Sequence, residues 1–382
     1  MRNRNITTIT LCIIMIFTCT ACWDRHEVEE LGLVVAIALD KESGGGEQFV
    51  MTAQFVNPNG MGGSDTSSKD TKAYFNLSRS GESVFEIMSD FFIISSRIPN
   101  FEHLNVIVIN EKVARATDIY KLVHTLHAFW EVPRNTFVLI SECEARSLLE
   151  IEPELEHLPA FEIDSLLTTG IGTSKKLHKR TFGDLAKDFA AGSSVAIQKL
   201  ALEETLELKG AAIICGKENK LAGFLDERET EGLNWLFGEA KASNVTIRDE
   251  KNGEIVNCIF SIKGHKIKPT IKEDNISFKV DISADGALAE TWDTSSDATD
   301  TKYLRDIEEQ IAREVEKRIY NTLHVLQKKY KADVADFWKI IKIHDYKLWE
   351  EIRDDWDNIF SQADVEVNVD YQIRSFQNRT SK

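Results

Sequence analysis

Six cysteines and nine histidines are the side chains in this sequence most able to act as nucleophiles or metal ligands. Their spacing directs most of them elsewhere. Among Cys143, Cys215 and Cys258 there is no CxxC spacing, so neither a zinc ribbon nor a redox dithiol is predicted in the body of the chain. His124-Thr125-Leu126-His127 has i,i+3 spacing and lacks the HExxH pattern of a helical zinc site, so both histidines read as structural or exposed. Gly170-Ile171-Gly172 lacks the third glycine and the preceding strand that a dinucleotide site requires. There is no GxxxxGK[ST] phosphate loop and no GxSxG nucleophile elbow. Acidic pairs such as Glu203-Glu204, Glu308-Glu309 and Asp354-Asp355 read as solvated helix faces. The expectation is a chain with no catalytic residue, no metal site and no cofactor.

One thiol is placed for chemistry on itself. Arg2 and Arg4 form a basic start, Ile6 to Phe17 is apolar, and small residues then lead to Cys22. About a dozen apolar residues fall short of the roughly 20 that span a bilayer, and a short apolar run after a basic start is a secretory signal. Cys19-Thr20-Ala21-Cys22 resembles the lipobox of bacterial lipoproteins, with Cys19 where Leu is commonest. That resemblance implies diacylglyceryl transfer to the Cys22 sulfur and cleavage before it, leaving residues 1–21 as signal peptide. Cys22 is therefore the expected lipid attachment site. Two acyl chains of the palmitate kind suffice for stable anchoring where one does not.

Of the other cysteines, Cys143, Cys215 and Cys258 would remain, each within an apolar stretch. They read as core thiols, and a 215–258 disulfide is open. The formal net charge is −16, and it becomes more negative by two once Arg2 and Arg4 leave. Such a chain lacks the basic face that binds nucleic acid and is repelled by anionic lipid. The lipid must do the holding.

The elements follow from periodicity. Leu31–Leu39 reads as a buried strand ending at Asp40. Gly44-Gly45-Gly46 reads as a turn, and residues 48–56 alternate as the second strand of a hairpin. A polar loop (57–70), a strand (74–79), a helix (82–94), a strand (103–109), a helix (117–129), a strand (136–140) and a short helix (144–149) follow. Residues 153–200 read as a largely helical connection. Strands are expected at 206–215, 220–225, 255–262 and 276–283, the last ended by Asp285-Gly286. A helix is expected at 226–237.

The clearest element is a helix from Tyr303 to Tyr330, with Leu304, Ile307, Ile311, Val315, Ile319, Leu323, Leu326 and Tyr330 on one face. Another helix (348–360) and a strand (365–373) close the chain. The fold class expected is α+β, multi-domain, with mixed sheets carrying helices. A mixed α/β region spans 22–200, with a split near 150 left open. An α+β domain spans 201–382, a mostly antiparallel sheet carrying the long amphipathic helix. Trp235, Trp292, Trp338, Trp349 and Trp356 read as core anchors, with a partner site as the alternative.

Three stretches together resemble one family. The first is Cys22-Trp23-Asp24-Arg25-His26-Glu27 leading to a strand ending in Asp40. The second is Lys220-Leu221-Ala222-Gly223-Phe224-Leu225 with Glu229-Thr230-Glu231-Gly232-Leu233-Asn234-Trp235. The third is Gln327 to Asp333 followed by Trp349 and Trp356. They occur in the order seen in the Ger(x)C spore germination lipoproteins and span nearly the whole mature chain. The resemblance implies a C subunit of a nutrient germinant receptor, held on the outer face of the spore inner membrane. Its partners would be a polytopic A subunit and a transporter-like B subunit. It implies no catalytic residue. Two other readings stand beside it. One is a solute-binding lipoprotein that captures the germinant, which leaves nutrient binding by this chain open. The other is an envelope hydrolase, which lacks a nucleophile motif.

Overall fold

The computed structural model describes residues 30–42, 48–61, 72–129, 132–169, 173–177, 180–240, 243–272, 275–292 and 300–376. Cys22, with the rest of the first family stretch before Glu30, lies outside the described residues, as do the 44–46 turn, Gly170-Ile171-Gly172 and most of the 57–70 loop.

The larger of two sheets has nine strands: β1 (Leu31–Lys41), β2 (Phe49–Val56), β3 (Tyr74–Gly81), β4 (Ile98–Asn100), β5 (Val106–Asn110), β6 (Phe137–Ser141), β7 (Val195–Leu202), β8 (Leu206–Cys215) and β9 (Lys220–Leu225). Their order is β3-β2-β1-β5-β6-β7-β8-β9, with β4 beside the start of β1. The centre is parallel (β1, β5, β6, β7) and both flanks are antiparallel hairpins. The parallel strands are apolar on both faces, because helices cover both. On one face, Ile37, Leu39, Ile107, Ile109, Ile140 and Ile214 pack with α1 (Val84–Ile94), α2 (Glu111–Ala116), α3 (Ile119–Phe129) and α6 (Phe182–Ala190). On the other, Val35, Ala38, Val108 and Leu139 pack with α4 (Ala145–Leu148) and α5 (Pro159–Thr168).

After α7 (Glu227–Phe237) comes a four-stranded sheet, in the order β10 (Ser243–Arg248), β11 (Ile255–Lys272), β12 (Asn275–Thr291) and β13 (Asp364–Phe376). The first three strands are antiparallel and β13 is parallel to β12. The long helix α8 (Thr301–His324), continued by a π-helical turn to Tyr330, buries Ile307, Ile311, Val315, Ile319 and Leu323 in one core with Phe260, Val280, Ile282 and Val369. The segments α9 (Phe337–His344), α10 (Tyr346–Ile352) and α11 (Trp356–Gln362) lead into β13.

The free edge of β13 is covered by α8. Glu308 accepts from Ile373 N at 2.7 Å, Glu316 from Val369 N at 2.9 Å and the Tyr320 hydroxyl from Val367 N at 2.9 Å. The spacing is commensurate: the helix rises about 18 Å between residues 308 and 320, and the strand about 20 Å between 367 and 373. An edge strand left bare is a template for pairing with other chains, and these side chains close it.

The fold class is the one expected, a mixed α+β chain with a long helix on the C-terminal sheet. Several elements differ. Glu203-Glu204 is the tight turn joining β7 to β8, not a helix face. The 153–200 connection contains β7, and the sheet runs across residue 200, so β8 and β9 share it with the N-terminal strands. Asp285-Gly286 does not end β12, because Gly286 is paired on both sides, to Phe260 and to Ile373. The expected 348–360 helix is broken by a 3-10 turn at Arg353–Asp355.

Candidate functional site

The polar residues of the second and third stretches converge on the seam between the sheets, while Asp40 of the first ties elements within the larger one. Asp40 comes first. Its two carboxylate oxygens accept from Ala145 N at 2.7 Å and Arg146 N at 2.8 Å, capping the short helix α4 from more than a hundred residues away. Burial raises its pKa, and those two N–H groups pull the other way. Asp40 is a tie between strand and helix.

The second stretch starts α7 with a reciprocal capping box between Asp226 and Glu229. Glu231 then points into the interior. It pairs with Arg318 Nη1 of α8 at 2.8 Å and accepts from the Ser174 hydroxyl. Arg318 also reaches Glu314 at 2.7 Å and lies 6.0 Å from the Trp235 ring centroid. Asn234 donates to the carbonyls of Ser174 and Lys176, both at 2.7 Å. Gly232 lets α8 approach, because a Cβ there would strike Thr322, whose hydroxyl donates to the Glu229 carbonyl at 3.0 Å. Trp235 is fully buried, 5.7 Å from Phe260. Glu231, Gly232 and Asn234 tie α7 to α8 or to the 173–177 segment, while the side chains of Glu229 and Thr230 bond back to Asp226 at the helix start.

The second and third stretches meet directly. A Cβ at Gly223 would lie 2.5–2.9 Å from the Tyr330 ring, and the Tyr330 hydroxyl donates to the Phe224 carbonyl at 2.7 Å. The chain then turns through Lys331 in the left-handed region (φ 50°) and buries Asp333. The Asp333 carboxylate accepts from Ala335 N (3.1 Å), Phe337 N (3.2 Å), Trp338 N (2.7 Å) and Trp356 Nε1 (2.8 Å). Complete burial pushes this carboxyl up to about 7, against the pull of those donors. Trp349 sits between the other two indoles, 5.5 Å from Trp338 and 5.6 Å from Trp356.

An ion network crosses the seam beside them. Arg180 pairs with Asp188 of α6 and, at 3.5 Å, with Asp336 before α9. Lys339 of α9 reaches Asp188 at 3.1 Å and Asp336 at 3.0 Å. Between the Gly192–Ser194 and Cys215–Lys217 turns of the large sheet and the Asp333–Asp357 segment lies an open cavity of about 630 Å³. A second, more polar groove of about 940 Å³ runs between α7, α8 and β10.

The arrangement ties the two sheets together. Among the described residues no group of three His, Cys, Asp or Glu is placed to hold a metal ion. His124 and His127 are exposed on α3. Cys143, Cys215 and Cys258 are unpaired, so there is no 215–258 disulfide, and Cys143 and Cys215 are only half-buried. Burial pushes the Cys258 thiol up to about 12. Burial, followed by the neighbouring Cys258, raises the Tyr371 phenol, which donates to the Ile259 carbonyl at 2.7 Å. Trp235, Trp338, Trp349 and Trp356 are core residues as read, while Trp292 is exposed. Sequence reasoning missed the Arg180–Asp188–Asp336–Lys339 network and the Asp333–Trp356 pair. The only signal for either was a charged residue standing within an apolar stretch.

Comparison with known proteins gives the same reading along the chain. Residues 24–201 match a family model described as a spore germination protein N-terminal domain. Residues 209–377 match one described as spore germination B3/GerAC-like, C-terminal. The two matches meet around the β7–β8 turn, inside the large sheet. Spore germination protein YndF of Bacillus subtilis (strain 168) is 33% identical over 389 residues, covering 96% of each chain. Spore germination protein B3 of the same organism is 24% identical over 95% of this chain and 96% of that one. Spore germination protein KC is 22% identical over 95% and 94%. The crystal structure of the GerBC protein shares the fold, with a TM-score of 0.61 at 21% identity, covering 88% of this chain and 96% of that one.

Proposed function

The chain belongs to the GerAC-like family of spore germination proteins, and on that premise we propose that it is the lipid-anchored C subunit of a nutrient germinant receptor. The observation that carries this is the lipobox ending at Cys22 on a chain that matches the family from residue 24 to residue 377. No helix among the described residues is long and apolar enough to cross a membrane. Attachment then falls to the diacylglyceryl group on Cys22, whose two chains suffice for stable anchoring. The body would stand on the outer face of the spore inner membrane beside a polytopic A subunit and a transporter-like B subunit. Tethering raises its effective concentration there, and protein contacts supply specificity. Its role is assembly or signalling within that complex, with no reaction of its own.

The buried ties across the seam favour a body that moves as a unit. Capture of a solute between two closing lobes would need a hinge where Glu231–Arg318 and Arg180–Asp188–Asp336–Lys339 hold the sheets together. The division at 200/201 is best taken as a boundary between sequence modules that share one sheet. Spores carrying Cys22→Ala test the reading. The chain is expected to leave the spore membrane fraction, and nutrient germination to fall to that of a strain lacking the protein. Normal germination with the variant still on the membrane would refute the proposal. Affinity capture of the native chain from spore membranes should co-purify polytopic proteins.

A further inference from the structure

Two edges bound the smaller sheet, and the side chains of α8 close only one of them. Glu308, Glu316 and Tyr320 cover β13. At the opposite edge, β10 pairs with β11 alone. Some of the main-chain groups of such a strand point away from its neighbour. Among the described residues nothing bonds to those of Asn244–Arg248. The ties from α8 go instead to the turn after the strand, where Gln310 accepts from Glu250 N at 3.0 Å and Arg313 pairs with the Glu250 carboxylate at 3.0 Å. Nor does β10 guard itself. It carries no proline, no lysine and no bulge, and its side chains alternate regularly, Val245 and Ile247 buried, Asn244, Thr246 and Arg248 exposed. A regular, uncovered edge is a template for another strand.

The groove of about 940 Å³ between α7, α8 and β10 runs along this edge. Its lining includes Thr246 and Ile247, whose side chains point to opposite faces of the sheet, so it follows the edge of the strand. It carries six lysine and arginine side chains against four glutamates, on a chain whose formal net charge is −16. Three of those glutamates are already engaged, Glu231 and Glu314 with Arg318 and Glu250 with Arg313. Lys175, Arg228 and Lys317 are exposed and have no acidic partner among the described residues, with Glu227 as the one acid left beside them. Arg248 donates to the neutral Gly253 carbonyl at 3.2 Å and keeps its charge. A cationic groove on an acidic protein selects an anionic occupant. An unpaired strand edge selects an extended one. Six residues of strand run about 20 Å, longer than a small anion can fill.

We propose that the free edge of β10 docks an extended, carboxylate-rich segment of a partner protein, which adds a strand to the smaller sheet and sets its acidic side chains against Arg228 and Lys317. Main-chain hydrogen bonds to β10 hold the segment, and the cations reject basic ones. The inference rests on the reading of the chain as a subunit among protein partners, and names the chemistry of one such contact.

The test uses the full chain and three fluorescent peptides of about eight residues, in which valine alternates with glutamate, glutamine or lysine. In fluorescence anisotropy the glutamate peptide is expected to bind at least about tenfold more tightly than the other two, and to weaken as salt is added. The double variant Arg228→Glu, Lys317→Glu should weaken it by about tenfold. Methylating one alternate set of the peptide's amide nitrogens should abolish binding, and methylating the other set should not, because only one set faces β10. Amide exchange within residues 243–248 should slow on binding, while exchange in β13 stays as it was. Equal binding of the three peptides, no saturable binding of the glutamate peptide, or indifference to both methylated sets overturns the proposal. Glutarate binding as tightly as the peptide overturns it as well, by making the groove a site for small anions. So does a dimer of the chain that Lys317→Glu dissolves, since a second copy would then be the occupant. Each of these outcomes leaves the anchor to the Cys22→Ala experiment. The methylated series is read on the unaltered chain and decides the matter even if the double variant does not fold.

Discussion

The indole N–H of Trp356 donates to the buried carboxylate of Asp333 at 2.8 Å, joining residues 23 positions apart at the seam between the two sheets. Three backbone N–H groups share the same carboxylate. Asp333 thereby fixes the turn after the long helix, the start of α9 and the tryptophan of α11 around one point. Trp356→Phe keeps the aromatic packing and removes one donor to a charged group. A loss of about 1.5–3 kcal/mol in unfolding free energy is expected above about pH 8, where the carboxyl is ionised, measured by denaturant titration.

The same carboxyl gives the stability a pH dependence of known sign. Its folded pKa is about 7 against an ordinary value of 3.8, because burial disfavours the charged form. Between about pH 4 and pH 7 the folded chain keeps a proton that the unfolded chain has released. Unfolding free energy therefore falls as pH rises through that window, by at most about 1.4 kcal/mol per pH unit, and levels off above it. Asp333→Asn removes this slope. The melting-temperature gap between wild type and Asp333→Asn should narrow from pH 4 to pH 7. A gap that widens would contradict the assignment.

Glu231 and Arg318 form the other tie of this kind. Arg318→Met alone leaves the buried Glu231 charge without its ion partner and should cost about 3–5 kcal/mol, whereas Glu231→Gln leaves Arg318 paired with Glu314 and should cost less. Replacing both together with methionine should recover much of that loss, since two well-packed apolar side chains can match a buried pair. Equal losses in the single and double variants, read from unfolding curves, would show that the pair contributes through packing alone.

Much of the fold is legible in the sequence, and the reasons for the rest are specific. Ile276, Phe278, Val280 and Ile282 alternate cleanly because one face of β12 meets α8. The α8 stripe is plain because its other face is solvated. By contrast, β7 is buried on both faces and follows helical fragments, so Val195–Leu202 shows no period of two. Ser243–Arg248 alternates but spans only six residues. The α9 helix follows Asp336 in the left-handed region (φ 66°), and its first N–H groups are capped by Asp333 from three residues before, not by Asp336 itself. Motif residues such as Gly223, Glu231 and Asp333 were visible as a pattern. Their jobs were not, because each partner lies far along the chain, and no local spacing encodes a contact such as Gly223 with Tyr330.

The acidic stripe of α8, read from sequence as solvated, closes a sheet edge. Glu316→Ala should leave Val369 N open to water, and Glu308→Ala should do the same for Ile373 N. Each is expected to cost about 0.5–1.5 kcal/mol and to speed amide hydrogen exchange at the exposed residue. The double variant should also associate at concentrations where wild type stays dispersed, as light scattering would show. Unchanged exchange at 369 and 373 would mean that those side chains do not guard the edge.

All of the proposed biology depends on the Cys22 sulfur. Mass spectrometry of the chain extracted from spore membranes is the most direct measurement. The expected N-terminal peptide begins at Cys22 and carries a thioether-linked diacylglyceryl group. An N-terminal peptide with an unmodified Cys22 thiol, from a chain recovered in the soluble fraction, would contradict the account.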